Sequence, residues 1–118
     1  MSAAVAALTL SASTEALAAG SWQGEWKTKG HEQTTAAHHV SKGKHFLHFG
    51  VKGKHEWVAR AYRVVGKKGG SNDVRMQTVK GRDTYQSTLA PMKKYPSGSF
   101  YIVFSYSVKG TQAYGGIE

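Results

Sequence analysis

The chain has 118 residues, with 16 Lys or Arg against 7 Asp or Glu, a formal net charge of +9 and no cysteine. This length fits one small domain. The lack of cysteine excludes disulfides, thiol catalysis and thiolate zinc sites. All sixteen basic residues and six of the acidic residues follow position 20, so that part carries a charge of +10. Such an excess predicts attraction to a polyanion.

Residues 1–19 differ in kind from the rest of the chain. They contain no Lys, Arg, Gly or aromatic residue, and they end in Ala16-Leu17-Ala18-Ala19. An apolar stretch followed by small residues in an A-x-A arrangement is typical of a secretory signal peptide. The basic segment that should open such a peptide is missing, so we interpret residues 1–19 as a truncated signal peptide. The alternative is an N-terminal helix, since Ala and Leu are strong helix formers.

This interpretation predicts a secreted, extracellular protein whose mature chain starts near Gly20. Residues 20–118 then form a single β domain outside the leader. The apolar run is too short to cross a bilayer, so we expect no transmembrane segment. An exported domain without disulfides is more typical of bacteria than of animal cells.

Turn signals rich in Gly, Lys, Ser and Asn recur along residues 20–118 and alternate with segments rich in Val, Thr, Tyr, Phe and Trp. This spacing is typical of an all-β sandwich or barrel. The predicted strands, about seven in number, are Trp22–Thr28, Thr34–Val40, His45–Val51, Glu56–Val65, Val74–Val79, Thr84–Leu89 and Phe100–Val108.

We predict an all-β fold, namely a small antiparallel β-sandwich of immunoglobulin-like type, with a small β-barrel as the alternative. The last predicted strand is the most regular, because Phe100, Ile102, Phe104, Tyr106 and Val108 fall on one face and should enter the core. In the same way, Val74, Met76 and Thr78 alternate with Arg75, Gln77 and Val79. The segment between Pro91 and Pro96 cannot be a central strand.

Lysines recur at the predicted turns. If the strands alternate in direction, residues 42–44 and 67–68 lie at one end of the fold and residues 52–54 at the other. The sequence thus predicts a basic rim that binds anions, formed by Lys42, Lys44, Lys67 and Lys68. The alternative is that these lysines only protect strand edges from aggregation.

Aromatic residues suggest a second kind of site. Trp22 and Trp26 lie on the same face of the first predicted strand and form a candidate aromatic platform for sugar rings. Tyr95, Tyr101 and Tyr114 are not assigned to the core by their pattern. The alternative is that both tryptophans cover one end of a small core.

All six histidines lie between positions 31 and 55, and imidazole is a common metal ligand. If Thr34–Val40 and His45–Val51 form a hairpin, His38 or His39 faces His45 across the strands. These three residues are the candidate metal ligands. No metal is favoured, because His45 and His48 point to opposite faces of a strand and no carboxylate has matching spacing; we predict no cofactor.

No catalytic motif occurs in the sequence, and the acidic residues are scattered. We therefore expect a secreted basic β-domain, not an enzyme, that binds an anionic or carbohydrate surface such as a cell-wall polymer. Nucleic acid is a less expected partner, because an exported protein meets wall polymers first. One alternative is a small inhibitor or toxin-like effector acting on a protein target through an exposed loop such as 66–72 or 91–98. Another is a metal-binding protein built on the histidines.

Overall fold

The computed structural model describes residues 22–82, 88–91 and 97–118, and for 88–91 it describes the backbone alone. These residues form nine strands and no helix. The strands are Trp22–Lys29 (β1), Gln33–Thr34 (β2), His38–Val40 (β3), Phe46–Val51 (β4), Trp57–Arg63 (β5), Val74–Gly81 (β6), Thr88–Pro91 (β7), Gly98–Tyr106 (β8) and Lys109–Ile117 (β9).

The strands form two antiparallel sheets that pack against each other. The first sheet has the order β1-β9-β4-β7. The second has the order β2-β8-β5-β6, and β3 pairs with β8 on the same side as β2. The predicted all-β sandwich is confirmed, and the described strands make two sheets rather than a single barrel.

The core lies between the facing sides of the sheets and is built largely from aromatic rings. In β8 the predicted inward residues Phe100, Ile102 and Phe104 are fully buried. The ring of Phe104 lies 5.0 Å from that of Phe49 in the opposite sheet, and Phe49 lies 5.3 Å from Trp57. Burial of each such side chain contributes roughly 1.5–3 kcal/mol, so this cluster is the main source of stability.

The sequence pattern did not predict β9, although β9 lies between β1 and β4 in the first sheet. Its glycines resemble turn signals, but two of them permit close packing. A Cβ atom on Gly115 would lie 2.4 Å from Cδ1 of Phe49, and one on Gly116 would lie 2.1 Å from the carbonyl oxygen of Trp22. Glycine within a strand marks such close approach.

The region 34–40 is two short strands rather than one. Between them, Thr35 is buried, and its hydroxyl oxygen takes the place of a backbone carbonyl as hydrogen-bond acceptor. This oxygen accepts a hydrogen bond from the Ile102 N–H, and the Thr35 N–H donates to the Ile102 carbonyl. Strand β3 then belongs to the second sheet, whereas β4 belongs to the first. The predicted hairpin about residues 41–44 is therefore wrong, because this loop crosses between sheets.

Strand β6 also differs from its predicted alternation. The pairing with β5 skips Met76, which forms a β-bulge opposite Ala61 and Tyr62. A bulge changes the face on which later residues lie. As a result Val79, opposite Ala59, is 5% exposed and belongs to the core. Val74, the first residue of the strand, is 45% exposed.

Strand β7 lies at the free edge of the first sheet, and Pro91 pairs there with Phe46. An edge position suits proline, which cannot donate a ladder hydrogen bond. Of the strand predicted at Thr84–Leu89, residues 84–87 lie outside the described residues.

Candidate anion-binding ends of the sandwich

Loops leave the sandwich at two opposite ends. Where β8 begins, Val40 pairs with Gly98 and Arg63 pairs with Phe100, so the loops after β3 and β5 emerge together; we call this the rim end. Where β8 finishes, Trp57 pairs with Tyr106. The 52–56 loop and the turn between β8 and β9 emerge there, at what we call the hairpin end.

The rim end carries the four lysines that the sequence predicts to bind anions, and all four are exposed: Lys42, Lys44, Lys67 and Lys68. The pairings of β3 and β5 with the start of β8 explain why both loops reach the same end. None of the four forms an ion pair with a carboxylate of the described residues. Their charge is therefore available to an external anion.

The loop that carries Lys67 and Lys68 is held by one carboxylate. Asp73 accepts hydrogen bonds from the Val65 N–H at 3.0 Å, from the Gly69 N–H at 2.8 Å and from the Tyr101 hydroxyl at 2.5 Å. The hydrogen bond from Tyr101, followed by that from Val65, lowers the pKa of Asp73. Burial and the neighbouring Asp73 raise the pKa of Tyr101 to about 12.

Tyr101 also anchors the loop through its ring. Tyr101 points to the outer side of the second sheet but is only 4% exposed. The alternation of the strand places Tyr101 on the outer face, so the sequence pattern did not predict its burial. The Tyr62 ring stacks on it at 5.5 Å, and the Lys68 ammonium lies 5.4 Å from its ring centre, a cation–π contact. The loop therefore presents Lys67 and Lys68 from a fixed base.

The two tryptophans do not form an open platform. Trp22 is 7% exposed, and Trp26 packs partly buried against the core, with its ring 5.7 Å from that of Phe104. The His38 ring stacks on Trp22 at 4.4 Å. This burial supports the core interpretation, because rings covered by protein cannot stack on a sugar.

The other unassigned tyrosines give no platform either. Tyr114 is partly buried, and its hydroxyl donates to Oε1 of Gln112 at 2.9 Å. Tyr95 lies outside the described residues.

The three candidate metal-ligand histidines, for which the sequence favoured no metal, do not all lie in one sheet. His38 and His39 lie on β3 in the second sheet, whereas His45 precedes β4 in the first. The His45 Nε2–H donates to the Ser41 carbonyl at 2.7 Å. Within residues 22–82, 88–91 and 97–118, no three His, Asp or Glu side chains come together as a metal site would require.

His48 points to the outer side of the first sheet and is 8% exposed. Its Nε2 lies 3.4 Å from Oε2 of Glu118. Burial lowers the pKa of His48, and the Glu118 carboxylate offsets part of this effect. The His48 imidazole and the Glu118 carboxylate therefore form a partly buried contact on the outer side of the first sheet.

The hairpin end holds a pocket that the sequence did not reveal. Its volume is about 400 Å³, and it is lined by Lys27, Lys52, Gly110, Thr111 and Gln112. Lys27 on β1 and the loop residue Lys52 lie on either side of Gln112 on β9, because Lys27 pairs with Gln112 and the Lys52 N–H donates to the Gln112 carbonyl. These residues lie far apart in sequence, so no local motif indicates them.

The pocket forms at a break in the pairing of β1 with β9. The register shifts between Lys27 and Lys29, and the Thr28 hydroxyl oxygen accepts a hydrogen bond from the Thr111 N–H at 3.0 Å. Gly110 adopts a positive φ of 89°, which glycine permits. Irregularities of this kind are common beside binding sites.

Among the described residues, no helix is long and apolar enough to span a membrane. No family model, no curated protein and no solved structure matches this chain.

Proposed function

We propose that the protein is a secreted, non-enzymatic domain that binds an anionic polymer, such as a cell-wall polymer, through the lysines of the rim end. The observation that carries this proposal is the set of four exposed lysines on two loops at one end of the sandwich, none of which forms an ion pair with a carboxylate of the described residues. The burial of Trp22 and the packing of Trp26 against the core weaken the support for stacking on neutral sugars, so an anionic ligand is the class we propose.

The structure of the 64–73 loop supports this role. Ordering a flexible loop on binding costs conformational entropy, and the contacts of Asp73 and Tyr101 remove much of that cost before the ligand arrives. A long polymer also meets several lysines at once, and multivalent contact raises affinity without requiring a deep pocket.

Retention of the full chain on immobilised anionic wall polymer or polyphosphate tests the proposal. Binding should weaken steeply as salt rises, because the Debye length falls from about 10 Å at 0.1 M to about 3 Å at 1 M. Two variants, Lys42→Gln with Lys44→Gln and Lys67→Gln with Lys68→Gln, should each elute at lower salt than the parent.

The matched control is Arg60→Gln with Lys80→Gln on β5 and β6 of the second sheet, which removes the same charge from positions outside the rim loops and outside the pocket at the hairpin end. If the control and the rim variants elute alike, the charge acts only as a diffuse attraction and the rim is not a site. If the parent fails to bind any polyanion at low salt, the proposal is wrong and the inhibitor or effector alternative, acting through the 66–72 loop, takes its place.

Export is a separate part of the proposal and has its own measurement. Mass spectrometry of the culture medium should detect a chain that begins at Ala19, Gly20 or Ser21. An intact chain starting at Met1 inside the cell would contradict it.

A further inference from the structure

We infer that the pocket at the hairpin end, between Lys27 and Lys52, is a second anion site that takes a phosphate-type group. The domain would then contact an anionic polymer at both ends of the sandwich. This inference deepens the proposed function and rests on it for the class of ligand. Three observations support the inference: the placement of the two lysines on either side of the pocket, their lack of ion pairs with described carboxylates, and the charges of the residues around the pocket.

The two lysine ammonium groups are not needed to hold the fold. Lys52 uses its backbone: its N–H donates to the Gln112 carbonyl at 2.9 Å, and its carbonyl accepts from the Thr111 hydroxyl. The backbone carbonyl of Lys27 likewise accepts from Nε2 of Gln33 at 3.1 Å. Both side chains are exposed, and neither pairs with a carboxylate of the described residues.

The wall between the two lysines is held in place by a chain of hydrogen bonds. The Tyr114 hydroxyl donates to Oε1 of Gln112, and Nε2 of Gln112 donates to Oε1 of Glu25 at 2.8 Å. The Gln112 amide is thereby held by Tyr114 on its own strand and by Glu25 on β1. Glu25 is the one acidic side chain in this hydrogen-bond chain, and its carboxylate is engaged by Gln112 rather than by a lysine.

The surrounding charge is mostly positive, although the 52–56 loop also carries the exposed Glu56. Lys29 pairs directly with Lys109 where β1 and β9 resume their ladder, and like charges opposite each other in a sheet repel. Lys54 adds a further exposed ammonium group on the 52–56 loop. An anion bound in the pocket would reduce this repulsion between lysines, so the charges around the pocket favour an anionic ligand.

A phosphate-type group fits this arrangement better than a flat carboxylate. Two lysines approach from opposite sides, each as a compact point charge with several donors, and a tetrahedral oxyanion offers acceptor oxygens in both directions. Free phosphate and the phosphodiester groups of a polymer share this chemistry.

The experiment is a titration of the ¹⁵N-labelled full chain at low salt, first with inorganic phosphate and then with polyphosphate. Amide signals of Gly110, Thr111 and Gln112 should shift and saturate with phosphate. The variant Lys27→Gln with Lys52→Gln should bind at least about tenfold more weakly, as the loss of charge-assisted hydrogen bonds predicts. Its spectrum should otherwise stay native, because both lysines hold the fold through their backbones.

The rim variants and the Arg60→Gln, Lys80→Gln control separate this inference from the proposed function. Both should keep the phosphate response of Gly110 to Gln112. If the pocket variant responds as the parent does, or if shifts grow without saturation at every lysine-rich loop, the pocket site is overturned even when the rim still binds polymer. If the rim variants keep full retention while the pocket variant loses both responses, the pocket stands and the rim proposal fails. Displacement of phosphate by polyphosphate identifies a polymer as the source of the group; its absence identifies a free phosphate.

Discussion

The rim end and the hairpin end both carry lysines, but the lysines lie on loops at the rim end and beside a strand pairing at the hairpin end. At the rim end, lysines project from loops, and one loop is fixed by Asp73 and Tyr101 on the outer side of the second sheet. At the hairpin end, lysines flank a break in a strand pairing and line an open pocket. Loops can follow a polymer along its length, whereas a pocket selects a single group. Charge alone therefore does not distinguish a surface for attraction from a site.

The largest effect should come from the core that both ends share. Phe104 is fully buried against Phe49, so Phe104→Ala should lower the free energy of unfolding by about 3–5 kcal/mol. Chemical denaturation measures this loss. Ser105→Ala, the next residue along β8 and directed outward, should cost about 0.5 kcal/mol or less; equal losses would mean that the two faces of β8 are wrongly assigned.

A smaller effect should separate the hairpin end from the rim end. Thr28 is 1% exposed, and its hydroxyl oxygen is the acceptor for the Thr111 N–H. Thr28→Val keeps the shape but leaves a donor without its partner, which should cost about 2 kcal/mol. The variant should lose phosphate affinity at the pocket and keep the rim's retention on polymer. Loss of both responses together would contradict the independence of the two ends.

The rim loop should respond to pH through Asp73 and Tyr101. The pKa of Asp73 is lowered on folding, so its contribution to stability is present above about pH 4 and is lost as pH falls through the folded value. The pKa of Tyr101 is raised to about 12, so its contribution is present below about pH 10 and is lost as pH approaches 12.

Tyr101→Phe tests this account by removing the hydroxyl while keeping the ring. The free energy of unfolding should depend less on pH, both in the acid range where Asp73 titrates and in the alkaline range where Tyr101 titrates. The overall loss of stability should be smaller than for Phe104→Ala. Amide exchange of residues 64–73 should speed up, whereas exchange at Thr111 should not change. An unchanged pH profile would show that Asp73 is not anchored by Tyr101.

The smallest effect concerns the two opposed lysines of the hairpin end. Lys109→Gln removes the repulsion between Lys29 and Lys109, so it should raise the free energy of unfolding by roughly 0.3 kcal/mol at low salt. The gain should vanish at high salt, where exposed charges are screened. Lys54→Gln serves as the control and should be neutral; an equal gain in the control would indicate general charge repulsion instead.

Local patterns were sufficient for much of the fold. The alternation of Phe100, Ile102 and Phe104 identified the core strand, because a period of two leaves only one face to bury. Recurrent turn residues identified an antiparallel sandwich. Strand β9 escaped detection because Gly110, Gly115 and Gly116 have low strand propensity. The presence of Gly115 and Gly116 is explained only by the residues that approach them, and that of Gly110 by its positive φ.

The candidate sites divide in the same way. The sequence by itself determined the positive charge, the absence of thiol chemistry and the positions of the rim lysines on turns, since these follow from composition and from residues close in the chain. The tertiary structure decided that Tyr101 is buried by Asp73 and Tyr62, that β3 and β4 lie in different sheets, and that Lys27 and Lys52 share a pocket. Each of these features depends on residues that are distant in sequence and meet only when the strands assemble. Such contacts produce no local periodic pattern, so the sequence alone does not predict them.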